Sequence, residues 1–194
     1  MADADPDRPG LRGRGGQSGD RNIAAVDAFD DVLSANRRHA DGFALGHLAA
    51  PPARNLAVVT CMDARIDPLA ILGLEAGDAH VMRNAGARVT SDVLRSLVKS
   101  VNQLGVRRIV VMHHTDCGAA KIELSALRQA VTDATGNDPS DVEFHLIGDP
   151  DEALAEDLAA VRDHPYLPSG LPVIALRYDV ATGVAEPLLD AVTA

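Results

Sequence analysis

The sequence predicts an α/β protein built on a mainly parallel β-sheet flanked by helices. Three observations carry that prediction. Short apolar runs of strand length recur at 56–60 and 108–112, as strands buried on both faces require. Amphipathic stretches of helical period lie between such runs, so strands and helices alternate along the chain. Both runs deliver cysteine or histidine just past their carboxyl ends, where open α/β sheets bind ligands.

Each element has a local reason. Residues 1–22 are rich in Gly, Asp, Arg and Pro with almost no large apolar side chain, which predicts a disordered tail before a single domain over 23–194. A first helix is predicted over 23–40. Ile23, Val26, Phe29 and Leu33 share a face, Asp27, Asp30 and Asp31 lie early, and Arg37 and Arg38 lie late, complementing the helix dipole. Gly42 ends it, and 44–54 with Pro51-Pro52 connects to the strand at 56–60. Asp67-Pro68 marks a helix start, with Pro in the first turn. A second strand is predicted over 79–82.

Helical period returns over 91–104, where Val93, Leu94, Leu97, Val98, Val101 and Leu104 form one stripe. Thr90 or Ser91 caps it and Gly105 stops it. The strand at 108–112 leads into His113-His114. Helices follow over 119–135 and 150–163, then a last strand over 173–178. Asp179-Val180-Ala181-Thr182-Gly183 is a turn signal that begins a hairpin.

At 194 residues the chain fits one domain with a sizeable core. Aromatics are 3% with no Trp, so Val, Leu, Ile and Ala must build that core. The net charge is −10, and the first 22 residues contribute none of it, since four Asp balance four Arg. An acidic folded part argues against nucleic-acid partners, which want a basic footprint. No apolar run approaches the roughly 18 residues of a membrane span. The N-terminus has no apolar segment of a secretory signal and four aspartates where a transit peptide has few acids, so a cytoplasmic protein is expected. In that reducing compartment two cysteines favour metal or catalytic use over a disulfide.

Cys61-Met62-Asp63-Ala64-Arg65 and His113-His114-Thr115-Asp116-Cys117-Gly118 together hold every cysteine in the chain. Thiolate and imidazole bind zinc, and a catalytic zinc site takes three protein ligands with one position open. Cys61, Cys117 and one of the paired histidines supply that set. His114 and Cys117 are three apart, within one turn if a helix opens there. His113 should face the opposite side of its strand and be structural. On an extended chain Cys61, Asp63 and Arg65 share a face, placing a carboxylate beside the metal and a guanidinium beside the carboxylate. Asp116 reads most simply as a helix cap.

These segments, with Arg83-Asn84-Ala85-Gly86 between them, resemble the β-class carbonic anhydrases in order and separation, over roughly residues 23–185. The resemblance implies Cys61, His114 and Cys117 as ligands of one Zn2+ per protomer, and Asp63–Arg65 as the active-site dyad. It implies that Arg83, Asn84, Ala85 and Gly86 line the site through their backbone. The implied reaction is hydration of CO2 to bicarbonate and a proton by zinc-bound hydroxide. The implied fold is a parallel sheet with an added edge strand, in homodimers or homotetramers. The chain departs from plant-like members in offering no glutamine for the CO2 pocket, Gln103 and Gln129 lying on predicted helices. It also lacks the tryptophan of bacterial members with a regulatory bicarbonate site.

Two other functions fit the same residues. A COS or CS2 hydrolase would use the same site on another linear molecule. A non-catalytic protein with a closed structural zinc would need a fourth protein ligand, and with two cysteines that falls to Asp63 or a histidine. Asp63 is also close enough in sequence to Cys61 to become the fourth ligand in a closed form when Arg65 releases it.

Overall fold

The computed structural model describes residues 27–188, which fall in two compact units that divide after Gly46. The expected tail and the start of the first helix lie outside the described residues. In the first unit a 3-10 turn, Asp27–Phe29, leads into helix α1, Asp30–Asp41. Gly42 ends α1 as expected, its N–H donating to the His39 carbonyl. Phe29, Val32 and Leu33 are exposed.

The second unit is a five-stranded sheet in the order β2-β1-β3-β4-β5. Strands β1 (Leu56–Cys61), β2 (Ala79–Asn84), β3 (Arg108–His114) and β4 (Val173–Tyr178) run parallel. The short β5 (Ala185–Pro187) pairs antiparallel with β4, which is the added edge strand. The 179–183 turn signal makes that hairpin: Asp179 Oδ1 accepts from the Ala181 and Thr182 N–H groups.

One face of the sheet carries Ala57, Val59, Ile109 and Val111 against Val93, Leu97 and Val101 of helix α3 (Ser91–Asn102) and Leu154, Leu158 and Val161 of helix α5 (Pro150–Arg162). Thr90 caps α3 and Asp149 caps α5. Leu56 and Val58 on the other face meet Leu69 of the short helix α2 (Pro68–Ile71) and Leu72 and Leu74 just after it; Asp67 caps α2 as its Asp-Pro start predicts.

Three local expectations are corrected. β2 runs through Asn84, so Arg83 and Asn84 belong to a strand. The helix expected over 119–135 is two pieces, a 3-10 turn at Ala119–Lys121 and helix α4, Leu124–Thr135, separated by extended residues at 122–123. No α-helix opens between His114 and Cys117. β3 extends through both histidines, and Asp116 turns the chain with a positive φ of 54°. Asp116 is therefore no helix cap.

Candidate active site

β1 and β3 are neighbours, so the segments leaving their carboxyl ends meet in one crevice. There the Sγ atoms of Cys61 and Cys117 and a ring nitrogen of His114 lie within 4.8 Å of one another, and all three residues are buried. The sulfurs are 4.0 Å apart, twice a disulfide bond length. Two ligands at about 2.3 Å from a tetrahedral zinc stand about 3.8 Å apart, so the spacing fits that ion.

The histidine is set for a metal as well. His114 Nδ1 lies 2.8 Å from the Thr115 carbonyl oxygen, which can only accept, so Nδ1 carries the proton and Nε2 the lone pair. That Nε2 is buried and has no hydrogen-bond partner among the described residues. A buried orphan of this kind is costly unless something fills it. His113, one residue back, points the other way, as alternation requires. Its Nε2 sits 3.1 Å from Asp157 Oδ2 in a buried cluster with Arg88 and the Val89 N–H.

Asp63 Oδ2 comes within 3.9 Å of His114 Nε2. The dyad forms, but not by alternation on an extended chain. The chain turns after β1, and Asp63 Oδ1 accepts from the backbone N–H of Arg65 at 2.9 Å. The Arg65 side chain then folds back, Nε to Oδ1 at 3.0 Å and Nη2 to Oδ2 at 2.8 Å. Bonded by that guanidinium and N–H, the Asp63 carboxyl is held well below the usual carboxylate range.

The four residues at the end of β2 and just past it lie around Cys61. Arg83 donates to the carbonyls of Cys61 and Asp63 at 2.9 and 2.8 Å, so its side chain rather than its backbone holds that turn. Asn84 ties the segment closed through the Arg88 carbonyl, Ala85 opens a 3-10 turn, and Gly86 donates its N–H to Cys61 Sγ at 3.4 Å. Gly86 has φ 81°, and a Cβ there would lie 2.6 Å from Ile147 Cδ1, so only glycine fits without displacement.

The Cys117 thiol beside it, with His114 and the Asp63 and Gly86 N–H groups, lowers the pKa of Cys61. Cys61 and burial raise that of Cys117. A bound dication ionises both, since a coordinated thiol is deprotonated outright. Burial disfavours charge on His114, but Cys61, the Thr115 carbonyl and Asp63 together raise its pKa.

A cavity of about 410 Å³ adjoins this trio, with Gly86, His114, Cys117, Ala120 and Ile147 in its wall. A larger one, about 750 Å³, lies at the opposite end of the strands around Leu56, Arg108 and Val173, and holds none of the motif residues.

Sequence reasoning missed Arg88, Asp157 and Lys121. Asp157 left a signal: it interrupts the inward stripe of Ala153, Leu154, Leu158 and Val161 on α5.

Fold and site together define an α/β protein with a Cys-His-Cys cluster able to hold a metal at the ends of adjacent parallel strands. A family model described as carbonic anhydrase matches residues 56–141. Beta-carbonic anhydrase 1 of Mycobacterium tuberculosis is 40% identical over 156 residues, 79% of this chain and 93% of that protein. The crystal structure of a carbonic anhydrase from Streptococcus mutans superposes with a TM-score of 0.77 at 40% identity, covering 82% of this chain and 96% of the other. A carbon disulfide hydrolase of Acidithiobacillus thiooxidans is 32% identical over 160 residues, 72% of this chain and 80% of that protein. The chain belongs to the β-carbonic anhydrase family.

Proposed function

We propose that this chain is a zinc carbonic anhydrase that interconverts CO2 and bicarbonate. The carrying observation is the buried trio of Cys61, His114 and Cys117, with the unsatisfied Nε2 of His114 turned toward both sulfurs and a carboxylate nearby. Those three residues would hold the metal, and a set of two soft sulfurs and one imidazole suits zinc. Zinc bound there would lower the pKa of a coordinated water and supply a nucleophile near neutral pH.

The protein's own groups orient the reaction. Asp63, ionised because Arg65 holds it, is a hydrogen-bond acceptor beside the ligands and fixes the direction of a proton on the attacking oxygen. Arg65 keeps that carboxylate paired, and so away from a metal that the trio would hold. Arg83 braces the turn that carries Asp63. Asn84 and Ala85 shape the segment that brings the Gly86 N–H to Cys61 Sγ. That contact moderates the charge on the sulfur. Ala120 and Ile147 give the adjoining cavity an apolar wall suited to a small linear molecule.

The carbon disulfide hydrolase relative supports a second reading, hydrolysis of CS2 or COS on the same residues. Stopped-flow CO2 hydration by zinc-loaded protein, with COS and CS2 as parallel substrates, decides between them. CO2 turnover far above the other two is expected; CS2 turnover without CO2 turnover would reverse the assignment.

A closed structural zinc is the third reading, and it requires Asp63 or a histidine as a fourth ligand. The pairing of Asp63 with Arg65 speaks for the open arrangement. The exposed Phe29, Val32 and Leu33 on the first helical segment support assembly as a dimer or tetramer. No helix among the described residues is long and apolar enough to cross a membrane. Two free cysteines accord with a cytoplasmic protein.

A further inference from the structure

Asp63 and Arg65 belong to one tight turn, so their mutual pairing does not fix where the pair stands relative to the metal ligands. A second anchor does. Asp116 lies between His114 and Cys117 in the ligand loop, and its backbone is left-handed, with φ 54°. Few residues other than glycine adopt that conformation, and Asp and Asn tolerate it best.

The turn presents two acceptors of one residue to one guanidinium. Asp116 Oδ2 accepts from Arg65 Nη1 at 2.9 Å, and the Asp116 carbonyl accepts from Nη2 at 3.0 Å. Lys121 Nζ pairs with the remaining carboxylate oxygen, Oδ1. Arg65 is thereby gripped on two sides, Asp63 along Nε and Nη2, Asp116 along Nη1 and Nη2.

We propose that Asp116 is a positioning residue for the reaction: from within the ligand loop it anchors Arg65, so that the guanidinium holds the Asp63 carboxylate off the metal. The inference rests on the zinc-enzyme reading and adds to it a residue outside the ligand trio and the dyad. Its side chain and that of Arg65 are 52% and 47% exposed. Exposed pairs contribute little to stability, so the role is orientation rather than folding. Without the anchor Arg65 swings into solvent, and Asp63 is free to close on the metal beside His114.

The test uses Asp116→Asn, which tolerates the left-handed backbone and keeps the carbonyl contact. Asp116→Gly is a second variant that fits the same φ with no side chain. The full chain is studied loaded with zinc for turnover and with cobalt(II) for visible absorption, which reports the ligand set directly. Both variants are expected to fold and keep one metal per protomer. Their kcat should fall about tenfold with KM little changed, the lower end of the usual effect of groups that orient a metal site. The cobalt spectrum should move toward that of Arg65→Ala. In an Arg65→Ala background Asp116→Asn should cost less than about twofold more, because it acts through the missing guanidinium. A wild-type cobalt spectrum with wild-type kcat in both variants would overturn the proposal, as would a full tenfold additive loss in the double variant. If the zinc-loaded wild type fails to hydrate CO2, the catalytic reading falls, and the cobalt spectra alone still decide what Asp116 does.

Discussion

Two carboxylate networks flank the same strand, and they differ in almost every respect. Behind β3, Asp157 is nearly fully buried and its partners are all protein groups: His113, Arg88 and the Val89 N–H. In front of β3, Asp63 and Asp116 share Arg65 at a half-exposed edge, with His114 Nε2 beside them and no hydrogen-bond partner. Successive residues of a strand point to opposite faces, so one His-His pair serves both networks. The closed network fixes the strand between sheet and α5. The open one leaves a lone pair beside a paired carboxylate, which on the proposed reading receive the metal and its substrate. The same residue types are framework when every donor finds a protein partner, and chemistry when one is left over.

Removing the centre of the closed network should have the largest effect. Asp157→Ala leaves buried His113 without its carboxylate and Arg88 with only the exposed Glu156, which should lower unfolding stability by about 3 kcal/mol in urea titration. A loss under about 1 kcal/mol would show that the cluster is not what holds α5. Breaking the open network should act on rate instead. Arg65→Ala should retain its zinc and unfold near the wild-type midpoint, yet lose about a hundredfold in kcat for CO2, equivalent to about 2.7 kcal/mol. Near wild-type turnover would make the dyad merely structural.

Gly86→Ala probes the seam between the networks. With φ 81° and a close approach to Ile147, it should cost about 1–3 kcal/mol in stability and shift the N–H away from Cys61 Sγ, so zinc should dissociate faster into a chelator. Wild-type stability and zinc off-rate together would contradict that account.

The smallest effect is the response to acid. Lys121 and Arg65 hold the Asp116 carboxyl down at about 2. A depressed folded pKa gives stability that is present above the unfolded value of about 3.9 and lost as pH falls toward the folded one. The difference in urea midpoint between wild type and Asp116→Asn should therefore be flat from about pH 8 to 5 and close below about pH 4. A difference that varies between pH 6 and 8 would point to another group.

Much of this was legible in the sequence. The apolar runs at 56–60 and 108–112 are strands because both faces are covered, and the stripe from Val93 to Val101 is a helix because it meets the sheet every turn. The meeting of Cys61, His114 and Cys117 was legible because cysteine is scarce and both copies follow a strand. What escaped depends on one contact between distant segments and on local turns that leave no mark in the hydrophobic pattern. Asp116 looked like a cap, since nothing local reveals that Arg65, 51 residues earlier, wraps onto it. The Asp63–Arg65 turn passed for extended chain because an Asp bonding to the N–H two residues on leaves no mark in the hydrophobic pattern. The break before α4 falls at Ile122-Glu123, residues compatible with helix, so propensity gave no warning.

The contrast between the two histidines provides the most direct test of the central claim. Metal content per protomer, measured after purification and zinc equilibration, is compared in wild type, His114→Ala, Cys117→Ala and His113→Ala. One zinc is predicted in wild type and in folded His113→Ala, with most of it lost from His114→Ala and Cys117→Ala. Full occupancy in either of those two, or loss in folded His113→Ala alone, would contradict the assignment of Cys61, His114 and Cys117 as the metal centre.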